Sequence, residues 1–217
     1  MLTGRYNRGM VSPDPAIADA RVRQLLSANQ LQEAERLCRE VLASHPSDPA
    51  ALHHLGVIAI RCGQFQAGAD LIRRAIAHRA DIAEYYFNLS QALIQLRQPP
   101  DAIAALRQAV SLNPGFTSAR MNLGALLCQE NQLDEAETEI RAALAQRPMD
   151  PALHVYLGRV LRWQEKLEPA IACFGRAIEL NPSFAGAYNS LGSALREAGS
   201  IGQAVAAFRK AVELKPT

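Results

Sequence analysis

Apolar residues along this chain recur at three- and four-residue steps rather than in alternation, so the elements they predict are helices. Between residues 117 and 150, Leu123, Leu126 and Leu127 share one side of a first helix, and Ala136, Ile140, Ala143 and Leu144 share one side of a second. The arrangement then repeats along the chain. His54-Leu55-Gly56, Asn88-Leu89-Ser90, Asn122-Leu123-Gly124, Tyr156-Leu157-Gly158 and Ser190-Leu191-Gly192 stand 34 residues apart without a slip. Three further columns keep the same phase: Gly68, Ala102, Ala136, Ala170 and Ala204; Ala75, Ala109, Ala143, Ala177 and Ala211; Ala80, Pro114, Pro148, Pro182 and Pro216. A worn first copy precedes them, with Ala34, Val41 and Pro46 in column but Arg21 and Val22 where Leu and Gly stand later. A fixed period of this length predicts an all-α chain of helix-turn-helix units that stack on one another, since a single helix pair cannot hide its own apolar stripe. Six units are expected, at 15–48, 49–82, 83–116, 117–150, 151–184 and 185–217, behind a flexible arm at 1–14; together the units form one repeat domain at 15–217.

Small and special residues fit this scheme. Gly124 and Ala136 are expected where the two helices of a pair cross closely. Asn29, Gly63, Asn131 and Gly199 share a column suited to a left-handed C-cap after the first helix. Proline closes the second helix, and Pro99-Pro100 forms a stiff turn from which a second helix begins.

These columns resemble the tetratricopeptide repeat family, whose signature is met by Tyr188, Leu191, Gly192, Ala204, Phe208, Ala211 and Pro216. The resemblance covers all but the arm and implies a right-handed α-solenoid whose shared activity is binding of a protein or peptide ligand. It also implies that first helices line a concave groove, carrying His54; Phe87, Asn88 and Gln91; Met121 and Asn122; Tyr156, Arg159, Arg162 and Trp163; Asn189 and Arg196. Val155, Ser190 and Ser193 lie in the same columns. Asn88 and Asn122 are similar to the asparagine ladder in the repeat region of O-linked N-acetylglucosamine transferases, where such amides hold a substrate backbone; the same column also reads as common repeat filler. The arginines suit an acidic or C-terminal tail, with Trp163 as an apolar anchor. Alternatively they pair with Glu165 and Glu197 on a solvated helix surface.

Composition narrows the function further. A formal net charge of +2 lacks the basic excess of a nucleic-acid binder, so no nucleic-acid partner is expected. Cys38, Cys62, Cys128 and Cys173 form no Cys-x-x-Cys pair and read as free thiols, with Cys38 and Cys173 as packing residues and Cys128 nearer the groove. No signal-like or membrane-spanning apolar run is present, so no membrane partner is expected and the cytoplasm is the predicted location. His53 and His54 are adjacent, diverge on a helix and are expected to be surface groups rather than ligands; His154 reads as a core histidine. No phosphate loop, nucleophile elbow or zinc helix is found, so the chain is predicted to be no enzyme and to need no cofactor or metal. At the last repeat, Leu191, Leu195, Val205 and Phe208 are expected to face no following unit, which predicts either a longer protein, such as a transferase with a targeting region, or a homo-oligomer built through repeat ends.

Overall fold

The computed structural model describes residues 14–215, so the expected arm, up to residue 13, and Pro216 of the proline column lie outside it. Among the described residues there are twelve helices and no strand. The first helices of the pairs are α1 (Pro15–Ser27), α3 (Pro49–Arg61), α5 (Ala83–Gln95), α7 (Thr117–Gln129), α9 (Pro151–Trp163) and α11 (Ala185–Glu197). The second helices are α2 (Leu31–Ser44), α4 (Phe65–His78), α6 (Pro99–Leu112), α8 (Leu133–Gln146), α10 (Leu167–Leu180) and α12 (Ile201–Leu214). Six helix-turn-helix repeats are therefore present, and α6 begins at the proline pair as expected.

Local chemistry accounts for the helix ends. Three first helices open on an Asp-Pro step: the carboxylates of Asp14, Asp48 and Asp150 accept from Ala16, Ala51 and Ala152 backbone amides, and the following proline occupies a position that needs no donor. Every first helix ends the same way. Asn29, Gly63, Arg97, Asn131, Glu165 and Gly199 all have positive φ, and the amide after each returns to the carbonyl five residues back. That pair of features is a Schellman turn, and it occurs in six repeats where the sequence signals it in four.

The chain divides into two compact units, Met1–Ala105 and Leu106–Thr217. In the first, α1 packs on α2, α3 on both α2 and α4, and α4 on α5. Its amino-terminal core joins Ala18, Val22, Leu25, Leu26, Ala34, Cys38 and Val41, so the worn first repeat packs normally while Arg21 points to solvent. In the second unit, α7, α9 and α11 pack on α8, α10 and α12, and α8 and α10 bridge to the next first helix. A Cβ on Gly124 would lie 2.7 Å from Ile140, and one on Gly158 2.6 Å from the Phe174 ring. These crossings admit only hydrogen, as expected.

Candidate functional site

In the first unit, side chains join α1, α3 and α5 through a partly buried polar chain. His54 is only 6 % exposed and donates from Nε2 to Asp19 at 2.6 Å. His53 is 3 % exposed, stacks on Tyr85 at 4.4 Å and accepts from the Asn88 amide at 2.9 Å. The expectation of two surface histidines is corrected here, and His54 is withdrawn from the ligand-facing set. The reason is geometric: an internal first helix is covered from both sides, so adjacent positions diverge toward different neighbours instead of toward water. Burial, reinforced by His54 and Arg23, pushes the His53 ring down to about 3. Desolvation acts to raise the Asp19 carboxyl, but hydrogen bonds from His54 and Arg23 outweigh it and hold the group below its ordinary range. Asn88 thus spends an amide hydrogen inside the protein, while Phe87 and Gln91 are half-buried on the same helix.

The second unit gathers more of the expected residues. Tyr156, Arg159, Arg162, Asn189, Ser190 and Ser193, with Val155, line a cleft of about 500 Å³ between α9 and α11. Along α9 the Arg159 guanidinium lies 5.9 Å from the Tyr156 ring centre and 5.3 Å from that of Trp163. Both distances are within cation–π range. Arg162 faces Glu197 at 3.8 Å, with its side chain 20 % exposed. The Ser190 and Ser193 hydroxyls donate to the carbonyls of Gly186 and Asn189, so each oxygen keeps its capacity to accept. Met121, Asn122 and Cys128 are half-buried on α7, and burial pushes the Cys128 thiol up to about 11 against the pull of Arg159. Arg196 and Trp163 are exposed, but neither lines the cleft. The exposed thiol is that of Cys62, rather than Cys128.

Three lining residues escape the sequence reading: Ala152, Phe184 and Gly186. They stand at helix starts, outside the columns used for the groove. Phe184 has one usable signal, since Phe116 occupies the equivalent place two repeats earlier. His154 is half-buried and its Nε2 bonds the Pro148 carbonyl at 2.9 Å, which ties α9 to the preceding loop.

At the last repeat the expected end residues separate into two groups. Leu195 is 7 % exposed and Phe208 fills the space beside Gly192, so both belong to the core of their own pair. Leu191 is half-buried, and Val205 is exposed together with Ile201 and Val212 on α12. Among the described residues no group of three His, Cys, Asp or Glu side chains is placed to hold a metal ion, and no helix is long and apolar enough to cross a membrane.

Models of the tetratricopeptide repeat match residues 25–93, 93–155 and 157–217. No curated protein matches the chain. Among solved structures, YrrB, described as a TPR protein with an unusual peptide-binding site, is 25% identical with a TM-score of 0.70, covering 80% of this chain and 90% of its own. MamA from Desulfovibrio magneticus RS-1 is 21% identical with a TM-score of 0.73, over 77% of this chain and 95% of its own. PilF of Pseudomonas aeruginosa is 17% identical with a TM-score of 0.78, over 93% and 92%. The last two likenesses are of fold alone.

Proposed function

The chain belongs to the tetratricopeptide repeat family, and from that premise we propose that it is a protein-interaction module that holds an extended peptide segment in the cleft between α9 and α11. One observation carries this reading: a cleft of about 500 Å³ whose lining mixes apolar surface from Val155 and Phe184 with polar groups from Asn189, Ser190, Tyr156, Arg159 and Arg162. A peptide needs both. Its side chains gain by leaving water against the apolar part, and its backbone amides and carbonyls need partners once water is displaced. The Asn189 amide supplies donor and acceptor together, and the serine oxygens accept. YrrB, similar in fold, is described as having a peptide-binding site, which supports the class of ligand for this chain. We assign the action to the cytoplasm on the ground of four free cysteines.

The test is a binding screen on immobilised peptides with the purified chain, followed by Tyr156→Ala and Asn189→Ala. Binding should weaken about five- to tenfold in each, equivalent to about 1 to 1.4 kcal/mol, with the thermal melt unchanged. A ligand whose affinity ignores both substitutions would place the contact elsewhere and sink this reading.

A further inference from the structure

The cleft between α9 and α11 has an uneven charge balance. Its lining includes Arg159 and Arg162 but no aspartate, glutamate or lysine. Most other arginines that pair within the described residues sit on a carboxylate, as Arg107 does with Glu135, Arg141 with Glu137 and Arg176 with Glu179. Arg159 has no carboxylate partner among the described residues; its contacts are the rings of Tyr156 and Trp163. Cation–π attraction to two rings supplies no oxygen acceptor, so the N–H donors of the Arg159 guanidinium stay open to another group.

Arg162 is differently placed. Its carboxylate neighbour, Glu197, stands 3.8 Å away, beyond hydrogen-bond reach, although the arginine side chain is only 20 % exposed. A partly desolvated guanidinium held at that distance keeps donors that a closer carboxylate would satisfy. Glu197 comes from the last turn of α11 and lies outside the cleft lining, so it holds Arg162 from the rim.

We infer that this cleft selects a peptide bearing carboxylate side chains, which Arg159 and Arg162 grip by their guanidinium edges, and that Glu197 is the internal competitor such a peptide displaces from Arg162. The inference rests on the peptide-binding reading above. A polyanion such as nucleic acid fits less well, because two cations in one cleft and a formal charge of +2 overall do not form a phosphate-tracking stripe.

The experiment uses the full chain on an array of randomised dodecapeptides, each acidic member paired with a copy in which Asp and Glu become Asn and Gln, alongside an oligothymidylate probe. The acidic member of a bound pair should be favoured by about tenfold at low salt, and the preference should shrink as salt rises. Arg159→Gln and Arg162→Gln should each erase most of that preference. Glu197→Gln should strengthen acidic binding about two- to fivefold, the opposite of what loss of a merely structural ion pair would do. Circular dichroism melts of the three variants should match the parent. Bound peptides with no acidic preference would overturn this inference and leave the peptide-binding reading standing. An array on which nothing binds would overturn both, and binding of the oligothymidylate alone would do the same.

Discussion

Glu165 holds a backbone φ of 62° and Arg97 one of 56°, in the same turn where other repeats place Asn29, Gly63, Asn131 and Gly199. An L side chain in the left-handed region brings Cβ against its own carbonyl, at roughly 1–2 kcal/mol. Glycine avoids that clash but loses about 0.5–1 kcal/mol of chain entropy on folding. The difference favours glycine, and more so because the turn is locked by return hydrogen bonds from Glu165 to Arg162 and from Lys166 to Leu161. Glu165→Gly is therefore expected to stabilise by about 0.5–1 kcal/mol, raising the melting temperature by about 1–4 °C. A differential scanning measurement reads this directly, and a lowered melting point would show that the Glu165 side chain contributes more than its backbone costs. The reverse substitution Gly63→Ala, at φ 78°, serves as the control that should lose stability.

At the scale of the helix pair, what matters is how closely two axes approach. Gly158 sits on α9 where a Cβ would meet three atoms of the Phe174 ring at 2.6 to 2.9 Å, whereas Gly175, one residue past that ring on α10, has nothing within 4 Å. Two Gly→Ala changes in adjacent helices should thus move stability in opposite directions. Gly158→Ala forces a rigid ring aside and should cost about 1–3 kcal/mol; Gly175→Ala removes unfolded-state freedom at no steric cost and should gain about 0.4–1 kcal/mol. Urea unfolding of the two variants checks the sign, and a stabilised Gly158→Ala would refute the close-crossing account. Elements of this kind were legible beforehand, because the small residue and its bulky partner recur as Gly124 with Ile140 and Gly192 with Phe208. The Asp-Pro starts at Asp14, Asp48 and Asp150 were equally available in the sequence as caps. The site was less legible. Groove columns point to Tyr156, Arg159 and Asn189, which line the cleft, yet side-chain pairing depends on what the neighbouring repeat carries, so the same columns also point to the buried His54 and pass over Phe184. The same limit applies to Arg97 and Glu165, whose residue types hide a turn that only the column position betrays.

For the molecule as a whole, stability in a stacked array is approximately a sum of repeat and neighbour contributions, so an agent that weakens one contact acts on its own unit first. Acid is such an agent here. The His53 ring is neutral in the fold down to about pH 3, because burial, followed by the charges of His54 and Arg23, disfavours its protonation. Unfolded, it takes a proton near its ordinary value of about 6.5. Between those two values the unfolded chain binds the proton that the folded chain refuses, so the contribution is complete above about pH 6.5 and declines as pH falls toward 3. The carboxyls of Asp19 in the first unit and Glu137 in the second behave differently. Desolvation raises each, but hydrogen bonds outweigh it, from His54 and Arg23 to Asp19 and from Arg141, Lys166 and Gln164 to Glu137. Their folded values lie below the ordinary ones, so the stability they contribute is present above about pH 4 and is lost only as pH falls further. Moving from about pH 7 to about pH 5 should therefore weaken α1, α3 and α5 while sparing α7, α9 and α11. Hydrogen exchange read by mass spectrometry, corrected for the intrinsic pH dependence of exchange, measures the two units separately in one experiment. Protection should fall selectively in the first unit, and His53→Gln, which cannot take up a proton, should remove the difference between the two pH values. An even loss across both units, or an acid response that persists in His53→Gln, would mean that the buried histidine is not what ties this fold to pH.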